Sequence, residues 1–100
     1  MRALVLASIF GFVVLPASGV SAESQVLIEV RVIGYSVNNE PLIAKRFGTP
    51  GGKVVVVVGS IHGHEKTGIQ IVRELQLQPV SPKYDLWVID TANPDGNRAN

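Results

Sequence analysis

Hydrophobic and polar positions change period several times along this chain, and each change marks an element. Residues 3–15 are almost uniformly apolar and carry no charge. Residues 26–33 then alternate, with Ile28, Val30 and Val32 on one face and Glu29 and Arg31 on the other. That period of two predicts a half-buried strand. Asn38-Asn39 before Pro41 is a turn signal, and residues 42–47 can form a second strand, so a β-hairpin is predicted. Residues 48–52, with their glycines and proline, form a loop. Lys53 is followed by five valines. A run without alternation predicts a strand buried on both faces. Residues 66–77 take up the helical period, with Ile69, Val72 and Leu75 on one stripe and Arg73 and Glu74 facing water; Pro79 and Pro82 stop the helix. Residues 86–89 form a further buried strand, and residues 90–96 are rich in turn formers and read as a loop.

Strand, helix and strand between residues 53 and 89 make a βαβ unit, which calls for parallel strands and a right-handed crossover. The expected fold class is α/β: a mixed, mainly parallel sheet flanked by helices and preceded by a β-hairpin. In an open sheet of this kind, ligands bind beyond the carboxyl ends of the strands. Residues 60–65 and 91–100 occupy that position.

Composition changes the reading of the N-terminus. Hydrophobic residues make up 46% of the 100 residues, but the first stretch inflates that figure. Met1-Arg2, an apolar run, Pro16 and the small residues Val20-Ser-Ala22 follow the order of a secretory signal peptide. The run is shorter than the roughly 20 residues needed to span a bilayer, so no stable membrane anchor is expected. Residues 1–22 are read as the signal peptide and 23–100 as the mature, secreted or periplasmic chain. Loss of Arg2 takes the formal charge from +1 to 0 and leaves no basic patch for nucleic acid. Cysteine is absent, which removes disulfides and thiolate metal ligands. So short a mature chain needs another source of stability, a metal or more chain. Left uncovered, the valine run is an aggregation hazard.

His62 and Glu65 are the candidate metal ligands, in the order His-x-x-Glu. A catalytic zinc takes three protein ligands, commonly two histidines and a carboxylate, and leaves a position for water. His62 falls in the loop after the valine strand and Glu65 in the first turn of the following helix. Two intervening residues let the loop bend so that both side chains converge, and Gly63 removes a side chain where the backbone turns. Zinc lowers the pKa of bound water to about 7. Other readings exist for each residue. A histidine near a strand end is often merely solvated, and a glutamate at a helix start often serves the helix dipole. His64 raises a third arrangement, a His62-x-His64 pair as in amidohydrolase barrels or metallo-β-lactamase-like sites. A barrel needs roughly 250 residues, and the lactamase pattern wants Asp-His where Glu65-Lys66 stands. His64 therefore reads as a residue of the pocket mouth or a solvated one.

Gly-Ser-Ile-His-Gly-His-Glu at 59–65, followed by Lys-Thr-Gly, resembles the zinc-binding segment of the zinc carboxypeptidase family. Asn-Pro-Asp-Gly at 93–96 resembles that family's second signature. Residues 33–42 look like its opening strand and turn, and residues 46–52 are similar to members of the murein peptide amidase type. The resemblance covers residues 26–100. It implies a carboxypeptidase-like domain beginning at residue 23, an eight-stranded mixed sheet, and one Zn2+ held by His62, Glu65 and a second histidine downstream. The implied reaction is hydrolysis of a peptide, or murein-peptide, amide bond. A late glutamate acts as base and an arginine polarises the scissile carbonyl. Arg98 lies closer to Gly96 than the family's arginine does. His62 and His64 are the only histidines, and no glutamate follows Glu74. The expectation is thus an N-terminal portion of an enzyme, inactive by itself, with an unpaired sheet edge. Two alternatives stand beside it. One is a deacylase of the succinylglutamate desuccinylase or aspartoacylase type, which shares a similar His-Gly-x-Glu segment. The other is an exported, non-catalytic domain.

Overall fold

The computed structural model describes residues 25–99 together with Gly11, Val13 and Val14. The expected signal peptide, residues 1–22, otherwise lies outside the described residues. Among the described residues no helix is long and apolar enough to cross a membrane. In chain order the elements are β1 (Glu29–Tyr35), β2 (Pro41–Gly48), β3 (Lys53–Val58), α1 (Lys66–Leu75), β4 (Tyr84–Ile89) and α2 (Pro94–Ala99).

The four strands form one sheet in the order β1-β2-β4-β3. The expected hairpin is present: β1 and β2 pair antiparallel, with a register shift between Val32 and Gly34. Its turn closes with the Ser36 N–H donating to the Glu40 carbonyl (2.8 Å) and the Asn39 N–H donating to the Ser36 carbonyl (3.0 Å). Asn39 adopts a left-handed φ of 61°, which asparagine tolerates better than most residues. The βαβ unit is also present, and β3 and β4 are parallel. The other neighbour of β4 is β2, and that pairing is antiparallel. The chain is therefore α/β with a mixed sheet. Among the described strands the sheet is not mainly parallel, because the hairpin pairs directly with the strand that closes the βαβ unit.

One face of the sheet carries the core. Phe47, Leu86 and Val88 are buried there against Val72 of α1, and Val55, Val57, Leu75 and Val80 pack around them. The predicted stripe on α1 is the stripe that packs, since Val72 is buried while Arg73 and Glu74 are exposed. The valine run departs from expectation. Val54, Val56 and Val58 are 63%, 57% and 41% exposed. The reason is position: β3 is an edge strand, α1 covers only its Val55–Val57 side, and no described element covers the other. At the opposite edge, Val30 and Val32 of β1 are exposed too, so the expected buried face of that strand is open.

On the uncovered face Asp85 is buried at 3% exposure. It accepts two hydrogen bonds from Arg46, at 2.8 Å from Nε and 2.6 Å from Nη2. That bidentate contact holds the Asp85 carboxyl below its usual range and pushes the Arg46 guanidinium up. The guanidinium groups of Arg31 and Arg46 both lie over the Trp87 ring, 4.8 and 5.1 Å from its centre.

The expected loop at 90–96 is shorter than predicted. It gives way at Pro94 to α2. Asn93 caps this helix by accepting the Gly96 N–H on Oδ1 at 2.8 Å, and Pro94 occupies the first helical position. Asparagine followed by proline suits a helix start as well as a turn.

Candidate functional site

β3 ends at Val58, and the N–H of Gly59 donates to the Ile89 carbonyl at 2.9 Å and keeps the chain beside β4 for one more residue. Here α1 crosses close above the strand. A Cβ at Gly68 would overlap the Gly59 carbonyl, and a Cβ at Gly59 would lie 2.6 Å from Val72 Cγ2. The pair of glycines sets this close approach.

Ser60 is the next residue and is 1% exposed. Its hydroxyl donates to the His62 carbonyl at 2.8 Å, and its own carbonyl accepts the Ala92 N–H at 2.8 Å. Asn97 of α2 reaches across with its carboxamide, donating to Ser60 Oγ at 3.1 Å and to the Gly63 carbonyl at 2.9 Å. The loop after β3 and the segment after β4 are thus tied together at the carboxyl end of the parallel pair. The sequence pattern places both segments there but marks neither Ser60 nor Asn97. A serine or asparagine in a polar loop carries no pattern that marks it as a brace.

Glu65 stands immediately before α1, at the N-cap position and not inside the first turn, and makes no side-chain cap bond. Its carboxylate turns back on the loop instead. Oε2 accepts the N–H groups of Ile61 (3.2 Å) and His62 (3.0 Å), and Oε1 lies 2.8 Å from His62 Nδ1. The two predicted ligands are therefore brought together. The contact with the His62 ring, followed by the two backbone amides, lowers the Glu65 carboxyl from 4.5 to about 2. Both side chains open to solvent, His62 at 68% and Glu65 at 42% exposure. His64 is exposed and stacks on His62, with ring centres 6.0 Å apart and planes 14° from parallel. Among the described residues no group of three or more histidine, cysteine or acidic side chains is placed to hold an ion.

Arg98 lies on the exposed side of α2 and pairs with Glu40 at 2.5 Å. Asp95, one turn earlier, accepts from Ser36 Oγ (2.7 Å) and from the Asn38 N–H (3.1 Å). These charges of α2 clasp the hairpin turn, and the inner side of the helix, through Asn97, braces the His62 loop. No family model, curated protein or solved structure matches this chain.

Proposed function

We propose that the chain carries zinc ligands of a hydrolase of the zinc-carboxypeptidase type, exported through residues 1–22 and acting on a peptide or murein-peptide amide bond. The observation that carries this reading is the convergence of His62 Nδ1 and Glu65 Oε1, 2.8 Å apart, beyond the carboxyl end of β3. The donor set suits zinc. An imidazole nitrogen and a carboxylate oxygen are ordinary zinc ligands, and both face solvent here. Glu65, with its carboxyl at about 2, is an anion at neutral pH and gives up no proton on binding a cation. The parallel β3–β4 pair and the α1 crossover are what a carboxypeptidase-like sheet requires of this segment.

His62 and Glu65 are the residues that would hold the ion, which supplies a Lewis acid able to activate water near neutral pH. The rest of the loop fixes them. Two backbone N–H groups pin one oxygen of Glu65, so the other is directed at His62. Ser60 and Asn97 fix the backbone that carries the imidazole. A donor pair without a third protein ligand binds zinc weakly.

Zinc titrated into the full chain, followed by calorimetry and by NMR of the histidine rings, tests the reading. The expected result is one weakly bound ion that shifts the His62 ring. Binding is lost in His62→Ala and Glu65→Ala and kept in His64→Ala. No heat and no His62 shift at millimolar zinc, or binding that survives both ligand substitutions, refutes it.

A further inference from the structure

We propose that Asn97 is a positioning residue for the metal-binding loop, acting on His62 through Ser60 and Gly63. The proposal rests on the zinc reading above and adds to it a residue on a separate element. The carboxamide nitrogen of Asn97 has two acceptors, Ser60 Oγ at 3.1 Å and the Gly63 carbonyl at 2.9 Å. Ser60 Oγ uses its single proton on the His62 carbonyl at 2.8 Å, and that carbonyl also accepts the Glu65 N–H at 3.1 Å. One amide group thereby governs the backbone on both sides of the His62–Gly63 peptide. From that peptide the imidazole is aimed at Glu65. Ser60 and Gly63 are buried, so water does not readily replace these bonds.

The other end of the carboxamide supports the assignment. Asn97 Oδ1 is buried and has no hydrogen-bond partner. Buried acceptors are usually satisfied. Turning the amide over would set its oxygen against the Gly63 carbonyl and sacrifice both donor bonds. The observed orientation keeps the two bonds to the loop at the expense of the oxygen. An aspartate at this position has the same shape and no donor. It would face the Gly63 carbonyl with an anion and compete with the His62 carbonyl for the Ser60 proton.

Zinc affinity of the full chain, measured by calorimetry, is compared for the parent, Asn97→Asp, Asn97→Ala and Ser36→Ala. Loss of an outer hydrogen-bond partner weakens metal binding by about tenfold or more. That loss is expected in Asn97→Asp. Asn97→Ala shows the same direction and serves if the aspartate variant does not fold. Ser36→Ala removes one of the two bonds Asp95 accepts from the hairpin turn, weakening the hold of α2 on the hairpin while leaving the Asn97 bonds intact, and should keep its affinity within about twofold. Amide exchange at Glu65, whose N–H donates to the His62 carbonyl, should quicken in Asn97→Asp whether or not zinc is present. Unchanged zinc affinity in both Asn97 variants overturns the proposal, as does an equal loss in Ser36→Ala. Failure of the parent to bind zinc refutes the metal reading instead, and the proposal falls with it; the exchange data then still report whether Asn97 braces the loop.

Discussion

Substituting Gly68 by alanine sets two known effects against each other at the point where α1 crosses β3. Inside an exposed helix the change stabilises by about 1 kcal/mol, because alanine loses less backbone freedom on folding. Here the new Cβ would overlap the Gly59 carbonyl. Overpacking typically costs about 1–3 kcal/mol. The upper part of that range applies, because the obstructing atom is backbone held in the sheet and not the end of a flexible side chain. The net expectation is destabilisation by about 1–2 kcal/mol, a fall in Tm of roughly 5–15 °C for a domain of this size. A second readout follows from geometry. Gly68 is three residues from Glu65, so lifting the first turn of α1 draws the carboxylate away from His62 Nδ1. The Glu65 carboxyl should then rise from about 2 towards its ordinary 4.5. Thermal unfolding and a carboxylate NMR titration measure the two effects together. A Gly68→Ala chain at least as stable as its parent, with an unmoved Glu65, would show that the helix does not sit on the strand end as described.

The carboxyl of Glu65 is depressed in the folded state, so its contribution is fully present above the ordinary 4.5 and is lost as pH falls through about 2. Denaturation midpoints taken across that window should fall together with the Glu65 titration, and a Glu65 midpoint near 4.5 refutes the contact with His62. In His62→Ala the midpoint should rise only part of the way, because the two backbone amides remain. On β3, Val56→Thr faces solvent and should change stability by less than about 0.5 kcal/mol while reducing light scattering on storage. Val57→Thr, one residue on, places a hydroxyl against the core and should cost about 1–3 kcal/mol. Equal effects at the two positions in denaturant unfolding would contradict the one-sided cover of β3 by α1.

Much of the architecture was legible from local pattern. The alternation at 26–33 with Asn38-Asn39 predicts the hairpin, and Ile69, Val72 and Leu75 predict the stripe on α1. The order strand, helix, strand predicts the parallel pair and hence the place where His62 and Glu65 lie. Each of these depends on neighbours in the chain, through turn geometry or the period of an element. The second helix was not legible, because Asn93-Pro94 is compatible with a turn and with a capped helix start. The choice between them depends on Asn97 and Asp95 finding partners in residues 36–38 and 60–63.

What the sequence by itself determined is the kind and order of the elements from β1 to β4, and the two side chains that approach each other over three residues of loop. Which faces are covered is a different matter. Five valines read alike along the chain, yet Val55 and Val57 pack against α1 while Val54, Val56 and Val58 are open. Side-chain identity states a preference for burial but not what arrives to bury it. The same holds at the site. His62 and Glu65 are written as a local motif, whereas Ser60 and Asn97 become its supports only when β4 runs beside β3 and carries α2 up to the loop. Contacts between residues 37 positions apart are made by the sheet register and not by any period in the chain.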